Sequence, residues 1–305
     1  MTRILFVKTS SLGDVIHNCP AVSDAARALP GATIDWVVEE PFAGIAAMHR
    51  AVRRVLPVAV RRWRSALWTR AAWSEMTAWR RALRAERYDA VLDTQSLLKS
   101  AFISALARGR RHGMDRASAR EPLAAALYQA RHPVPRELHA VERNRVLAAS
   151  ALHYEVNHSP DYGLQVPATG KSGYVVLLTM TSRAGKLWPE ERWIELGRAL
   201  SAPAILPWGS DAERARAERI SAAIGGTVPP RRSLEELARL FVNARSVVGL
   251  DTGLTHLAAA LGVATVGIYC GSDPSRTGLY GAPQAKSIGA PGRPPQAGEV
   301  LQLMG

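Results

Sequence analysis

The stretch RILFVKTSSLGDVIH, residues 3–17, places a short apolar strand directly before a polar loop and the start of a helix. Lys8 ends the apolar run, and Gly13 and Asp14 stand where the helix begins. In α/β proteins this junction commonly holds a phosphate, but the GxGxxG and GK[ST] fingerprints are both missing from it. A dinucleotide or ATP cradle is therefore not favoured. Gly13 allows a tight turn, whereas Asp14 is either a helix cap or a carboxylate that acts as a general base.

Outward from this stretch, strand-like and helix-like runs alternate along the chain, which predicts βαβ units and parallel sheets. Predicted strands lie at 33–40, 52–60, 88–95, 173–179, 204–209, 246–251 and 263–269, with helices at 15–29 and 42–48, from 190, from 211, and at 233–244. Residues 157–173, rich in Pro, Gly and polar residues, predict a linker. The predicted fold is thus α/β with two Rossmann-like domains, 1–160 and 161–305, and ligands at the carboxyl ends of the strands.

Composition favours a packed, soluble chain. Of the 305 residues, 47% are apolar and 21% are charged. The apolar run at the amino terminus is too short for a secretory signal. The longest uncharged stretch, 252–272, contains a histidine and interior glycines, so we expect buried α/β core and no membrane span. Cys19 and Cys270 lack metal-ligand spacing, which predicts free buried thiols in a reducing cytoplasm.

The positive charge is concentrated in one third of the chain. Residues 50–150 hold 21 Lys and Arg against 8 Asp and Glu, whereas the remaining residues hold 18 of each sign. Such a segment indicates a polyanionic partner, which could be nucleic acid, an anionic membrane or a phosphorylated substrate. The alternative is a solvated basic surface. The densest clusters are Arg61, Arg62 and Arg64, and residues 110–112, with Arg120 as a further candidate contact for an anionic acceptor.

Two loops of the second half have the composition of a diphosphate site. TSRAGKLWPEERW, residues 181–193, follows a predicted strand and brings hydroxyls, a guanidinium and an ammonium to a helix start; its candidates are Thr181, Ser182, Arg183 and Lys186. SVVGLDTGLTH, residues 246–256, forms a second strand–turn–helix junction. There the backbone amides of Thr252, Gly253 and Leu254 are candidate donors, with His256 one turn inside the helix. Asp251 is unfavourable beside a phosphate, so we expect it to cap the helix or order the loop.

These motifs together resemble the lipopolysaccharide heptosyltransferases of glycosyltransferase family 9, over nearly the whole chain, and the KTSSLGD loop favours the type I branch. The motifs that carry the resemblance are KTSSLGDVIH (8–17), DWVVEE (35–40), PVAVRRWR (57–64), YDAVLDTQSLLKSA (88–101), HGMD (112–115), AREPLA (119–124), HAVERNR (139–145), KLWPEERW (186–193), LPWGS (206–210) and DTGLTHLAAALG (251–262). One departure is local: Ala184 and Gly185 stand where two acidic residues are expected before the lysine.

The resemblance implies a GT-B fold, two Rossmann-like domains with parallel sheets facing a central cleft. It implies an inverting transfer of L-glycero-D-manno-heptose from ADP-heptose to the inner Kdo of Kdo2-lipid A. Asp14 would be the general base and Lys186 the contact to the donor phosphates. Further donor contacts would come from Thr181, Ser182, Arg183, Trp208, Gly209, Asp251, Thr252, Gly253, Leu254 and His256, and acceptor contacts from Ser10, Ser11, Gly13, Arg61, Arg62, Arg64, Gln95 and Arg120.

No resident cofactor or metal site is expected, while Mg²⁺ assisting ADP departure stays open. The implied location is cytoplasmic, on the inner face of the inner membrane, whose anionic surface would be a partner. Competing hypotheses are a family 9 enzyme with another acceptor, either the second core heptose or a protein, and a basic nucleic-acid-binding protein. The basic segment lacks zinc, helix-turn-helix and RNP signatures, so nucleic acid is not an expected partner.

Overall fold

The opening stretch forms the central strand of a six-stranded parallel sheet, and its residues 4–7 are fully buried. Strands covered on both faces are apolar throughout, which explains the unbroken apolar run. The strands of this sheet, in the order 3-2-1-4-5-6, are β1 (Arg3–Val7), β2 (Thr33–Glu39), β3 (Val52–Val58), β4 (Ala90–Asp93), β5 (Arg110–Met114) and β6 (Ala130–His132). The helices are α1 (Leu12–Ala28), α2 (Ala43–Ala47), α3 (Val60–Ser65), α4 (Arg70–Arg84), α5 (Leu98–Leu106) and α6 (Ala140–Leu152).

A second parallel sheet has five strands in the order 11-10-9-7-8. Its strands are β7 (Val175–Leu178), β8 (Ala204–Ile205), β9 (Ser246–Leu250), β10 (Thr265–Ile268) and β11 (Ala285–Ile288). The helices are α7 (Glu190–Ala199), α8 (Asp211–Ile224), α9 (Leu234–Asn243), α10 (Gly253–Ala260), α11 (Pro274–Thr277) and α12 (Ala297–Met304). This computed structural model describes residues 2–170, 172–181 and 183–304 and divides into two units, residues 1–164 and 165–305.

All eight predicted strands, the opening stretch among them, form and are trimmed at their ends, and the predicted starts of α7 and α8 are confirmed. Sequence patterning missed β5, β6 and β11, because these edge or near-edge strands are short and polar. α1 begins at Leu12 rather than at residue 15, which places Gly13 and Asp14 inside its first turn. The uncharged stretch 252–272 contains α10 and β10.

The first part of the predicted linker, residues 158–163, packs on the first unit. His158 Nε2 lies 2.8 Å from the buried Asp24 carboxylate, and Asp161 pairs with Arg50. The backbone N–H of Arg50 also donates to the Gly163 carbonyl at 2.9 Å. The division into units accordingly falls at residues 164/165, slightly beyond the predicted 160/161.

Cys19 and Cys270 are both free and buried, as predicted. Across residues 2–170, 172–181 and 183–304, every helix is too short or too polar to cross a bilayer.

Candidate functional site

Asp14 caps the helix that follows β1. Its carboxylate Oδ2 accepts the backbone N–H of Ser11, the N-cap residue of α1, at 3.1 Å. The side chain satisfies one of the N–H groups that every helix start leaves without an intrahelical acceptor, and its negative charge is favourable at this end of the helix dipole. The cap hypothesis is therefore confirmed, and capping leaves the carboxylate beside the loop where a substrate would bind.

Arg120 holds the same carboxylate from the other side. Its Nη2 donates to Asp14 Oδ1 at 2.8 Å and its Nη1 donates to Oδ2 at 3.2 Å, a bidentate pair between residues 106 positions apart. Burial alone would raise the pKa of Asp14, but Lys8, Arg120 and the Ser11 amide outweigh it and hold the pKa below its usual range. Asp14 is thus ionised at neutral pH, as a general base must be, with both oxygens engaged.

Lys8 is a site residue that the sequence analysis passed over. It is buried, and its Nζ donates to the Thr94 carbonyl at 2.7 Å and to Asn144 Oδ1 at 3.2 Å. Burial lowers its pKa to about 8; the Asp14 carboxylate opposes that shift, and Arg120 adds to it. The position of Lys8 in the sequence could have identified it as a site residue. It lies between a buried strand and the polar loop, where a charged side chain must find hydrogen-bond partners inside the protein.

The remaining loop residues are braced by β4 and α5. The buried Gln95 accepts the backbone N–H groups of Thr9 and Ser10 at 3.1 and 3.3 Å through Oε1. Lys99 Nζ, which the sequence analysis did not single out, donates to Ser10 Oγ at 2.9 Å. Gln95 therefore shapes the loop that carries Asp14. The small pocket formed here is lined by Lys8, Asp14, Thr94, Gln95, Ser96, Met114, Arg120, Ala140, Arg143 and Asn144.

The predicted acceptor arginines on α3 differ from one another. Arg62 donates to Glu40 at 2.8 Å and to Glu75 at 2.6 Å, so its charge is compensated within the chain. The backbone N–H of Arg61 donates to Glu39, while the side chains of Arg61 and Arg64 are exposed. Of these three predicted contacts, Arg61 and Arg64 are better placed than Arg62 to meet an anion.

In the second unit, Asp251 is the centre of the site. It follows β9, and its Oδ2 accepts from Lys186 Nζ and from Ser272 Oγ, both at 2.5 Å. His256 Nε2 lies 3.6 Å from Oδ1. Burial would raise the pKa of Asp251, but His256, Lys186 and Ser272 hold it well below its usual range. Asp251 therefore orders the loop, as expected; the N-cap of α10 is Thr252 rather than Asp251.

α10 presents its first turn beside this network. Thr252 is extended, and Gly253 and Leu254 begin the helix. Thr255 Oγ1 donates to the Leu250 carbonyl at 2.6 Å and so ties the helix start to β9. Helix starts leave backbone N–H groups without intrahelical acceptors, which makes this turn a donor set for an anion.

The turn that carries Lys186 follows β7, the strand beside β9 in the sheet. Thr181 Oγ1 donates to the Asp251 carbonyl at 3.4 Å, and the Lys186 N–H donates to the Arg183 carbonyl at 3.0 Å. The Arg183 side chain is exposed, and Ser182 lies outside the described residues. Gly271 lies against this turn: a Cβ added to Gly271 would be 2.5 Å from the Gly185 carbonyl oxygen.

Trp208 and Gly209, also predicted as donor contacts, form a separate cluster after β8. Trp208 Nε1 donates to the Pro229 carbonyl at 2.8 Å, and the Arg214 guanidinium lies 5.3 Å from its ring centroid. The Gly209 N–H donates to Glu213 Oε2 at 2.6 Å. These internal bonds fix the loop at the same carboxyl edge of the sheet.

Among residues 2–170, 172–181 and 183–304, no group of three or more His, Cys, Asp or Glu side chains is placed to hold a metal ion.

Comparison with known proteins finds similarity to heptosyltransferases. The model of the family described as glycosyltransferase family 9 (heptosyltransferase) matches residues 76–298. Lipopolysaccharide heptosyltransferase 1 of Salmonella typhimurium is 46% identical over 293 residues, covering 92% of each chain.

Two solved structures of E. coli heptosyltransferase WaaC are similar over 99% of each chain. The structure with ADP gives a TM-score of 0.93 at 43% identity, and the one with ADP-2-deoxy-2-fluoro heptose gives 0.89 at 42%. The predicted GT-B class, with two parallel-sheet α/β domains, is confirmed.

Proposed function

This chain belongs to glycosyltransferase family 9, the heptosyltransferases, and we propose that it transfers L-glycero-D-manno-heptose from ADP-heptose to the inner Kdo of Kdo2-lipid A. Heptose transfer in the lipopolysaccharide inner core is the activity of its type I relatives. The observation that carries the acceptor half is an ionised Asp14 among the cations Lys8, Arg120 and Arg143 in one pocket. That combination suits a hydroxyl nucleophile on an anionic sugar.

The donor half rests on the second unit. The Lys186 ammonium, held by Asp251, and the first-turn amides of α10 supply hydrogen-bond donors at one sheet edge. E. coli WaaC, similar to this chain throughout, binds ADP and a fluorinated ADP-heptose. The same groups would stabilise the charge that grows on the ADP diphosphate as the glycosidic bond breaks.

The reaction proposed is a single displacement. Asp14 takes the proton of the attacking Kdo hydroxyl while that oxygen bonds to C1 of the heptose and ADP departs with the bonding electrons, inverting the anomeric centre. Since both Asp14 oxygens are engaged by Arg120 and Ser11, the acceptor must compete for them. A Kdo carboxylate would take over the bidentate bonds of Arg120 and so free Asp14 to accept the hydroxyl proton.

No resident cofactor is needed in this scheme, because Lys186 and helix amides provide the charge that would otherwise come from a metal ion. Mg²⁺ carried by the donor diphosphate would act in addition to them. We expect chelation by EDTA to change the rate by less than about twofold, since one protein ammonium already stabilises the leaving group. The proposed location is the cytoplasmic face of the inner membrane, where such an acceptor would be anchored.

The test is ADP release by the purified protein with ADP-heptose. We expect release that depends on Kdo2-lipid A. Release only with an acceptor that already carries the first heptose, or only with a protein acceptor, would transfer the proposal to another family 9 activity. Absence of release with all three acceptors, from a folded protein that binds ADP, would refute it.

A further inference from the structure

Large apolar side chains are exposed on one limited part of the first unit. Among the described residues all six of them lie between positions 67 and 123: Leu67, Trp68, Trp73, Phe102, Leu106 and Leu123. Trp68 is 81% exposed and Phe102 is 60% exposed. Isolated exposed apolar residues are ordinary, but five of these six lie on α4, on the loop before it or on α5, which points to a surface with a partner.

The elements concerned already bury another face. α4 packs Ala72, Met76, Trp79 and Leu83 on the sheet, the spacing of a single helix stripe. Trp73 lies at the flank of this stripe and is 58% exposed, and its Nε1 donates to the Leu67 carbonyl at 2.7 Å. Its polar atom is thus satisfied within the chain, and the exposed remainder of the ring is apolar.

α5 continues the same surface. Phe102 and Leu106, four residues apart, lie on one exposed stripe of this helix. The two helices are joined at their ends, because Arg84 Nη1 donates to the Leu106 carbonyl at 3.2 Å. We call the outward residues of α4 and α5, with the loop 66–69 before α4, the α4–α5 surface.

The exposed charge of the α4–α5 surface is positive. Arg70, Arg80 and Arg81 are exposed on α4 beside the apolar residues. Glu75, the acidic residue of this helix, accepts from Arg62 Nη1 and from Trp63 Nε1, so its negative charge is compensated by Arg62 and does not offset the arginines of α4. The surface therefore combines projecting tryptophans with arginines that are not balanced by acids of α4.

We propose that the α4–α5 surface docks on the face of an anionic phospholipid bilayer. Tryptophan prefers the boundary between headgroups and acyl chains, and arginine binds lipid phosphates. A nucleic acid would match the arginines but leave the aliphatic and phenyl side chains exposed. α5 begins directly after β4, at the sheet edge that also carries Asp14. Docking would bring that edge close to a lipid-anchored acceptor; this last point rests on the proposed function.

The experiment is sedimentation of the full chain with vesicles of phosphatidylcholine alone or mixed with phosphatidylglycerol. We expect binding to the mixed vesicles only, weakened by salt. Arg80→Glu should weaken it about tenfold or more, since each basic residue near such a surface contributes about fivefold. Trp68→Ala should weaken it roughly tenfold. Arg239→Glu, the same charge reversal on α9 of the second unit, is the matched control and should bind normally.

Three results would overturn the proposal: no binding to anionic vesicles, equal loss with Arg239→Glu, or unchanged binding by both Arg80→Glu and Trp68→Ala. Binding of duplex DNA that competes with vesicles and is lost with Arg80→Glu but not with Trp68→Ala would assign the surface to nucleic acid instead. Turnover of O-deacylated Kdo2-lipid A separates this inference from the proposed function. Arg80→Glu and Trp68→Ala should both turn over this acceptor at the parent rate. If neither the parent nor the variants turn it over, only the proposed function is refuted.

Discussion

Replacing Asp14 by asparagine separates its two roles, because the carboxamide keeps the cap and loses the base. The carboxamide oxygen of the variant would still accept the Ser11 N–H that now lies 3.1 Å from Oδ2. What disappears is the negative charge, with its bidentate bonds to Arg120, and the capacity to take a proton. The two losses differ enough in size to be told apart.

The stability cost is small. The Arg120 side chain is 44% exposed, and ion pairs of that kind contribute about 0–1 kcal/mol. The charge at the helix start contributes about 0.3–1 kcal/mol more. Together these amount to about 1 kcal/mol, or a melting temperature lower by roughly 2–4 °C for a unit of this size. Loss of a general base instead lowers turnover by about 10²–10⁴-fold, which is about 2.7–5.5 kcal/mol of activation free energy.

The assay is kcat for ADP release at saturating donor and acceptor, with thermal unfolding of the same preparation. Asp211→Asn is the matched control, because Asp211 occupies the first turn of α8 and its replacement removes a helix-start charge outside both sites. We expect normal turnover from it. A folded Asp14→Asn enzyme within about threefold of the parent rate would show that capping is the whole role of Asp14 and refute the base assignment.

Three further predictions follow from the same contacts. Because the pKa of Lys8 is lowered to about 8, kcat/KM for the acceptor should fall as pH rises through 8. The Lys8→Gln enzyme should be slower than the parent but should not show that decline. The unfolded chain keeps the Lys8 proton up to pH 10.5, so the free energy of unfolding should rise with pH between 8 and 10.5. Lys186→Gln should weaken ADP binding by about 10–100-fold in calorimetry, the range for a hydrogen bond to a charged group, and unchanged affinity would remove Lys186 from the diphosphate site. Arg61→Glu with Arg64→Glu should raise the acceptor KM by roughly tenfold at low salt and leave ADP affinity unchanged, whereas equal loss of both would contradict separate donor and acceptor sites.

Much of the molecule was predictable because its signals are local. Apolar runs followed by polar loops located eight strands, and the loops after them supplied Asp14, Lys186 and Asp251 as candidates. The short polar strand β5, Arg110–Met114, was missed, since its pattern resembles a loop and only pairing with β4 and β6 makes it a strand. Such short polar strands depend on neighbours that periodicity does not report.

The count of charged residues along the sequence overestimated the positive charge that is free to bind a partner. Arg53 and Arg54 both bind the buried Asp35, and Arg145 binds the buried Asp24, so part of the basic excess of residues 50–150 is compensated by acids that precede it in the chain. Burial makes these pairs structural, because an unpaired charge in the interior is costly. Only the folded chain distinguishes such arginines from exposed ones.

The sequence by itself determined the alternating α/β architecture, the family, and the loops that carry chemistry, because hydrophobic period and turn composition act over a few residues. The tertiary structure alone decided what those loops hold. The strand order 3-2-1-4-5-6 brings Arg120 onto Asp14 and Asn144 onto Lys8, across 106 and 136 positions. The pairing of β7 with β9 likewise brings Lys186 to Asp251. Charge state and donor geometry depend on these distant partners, which local sequence does not specify.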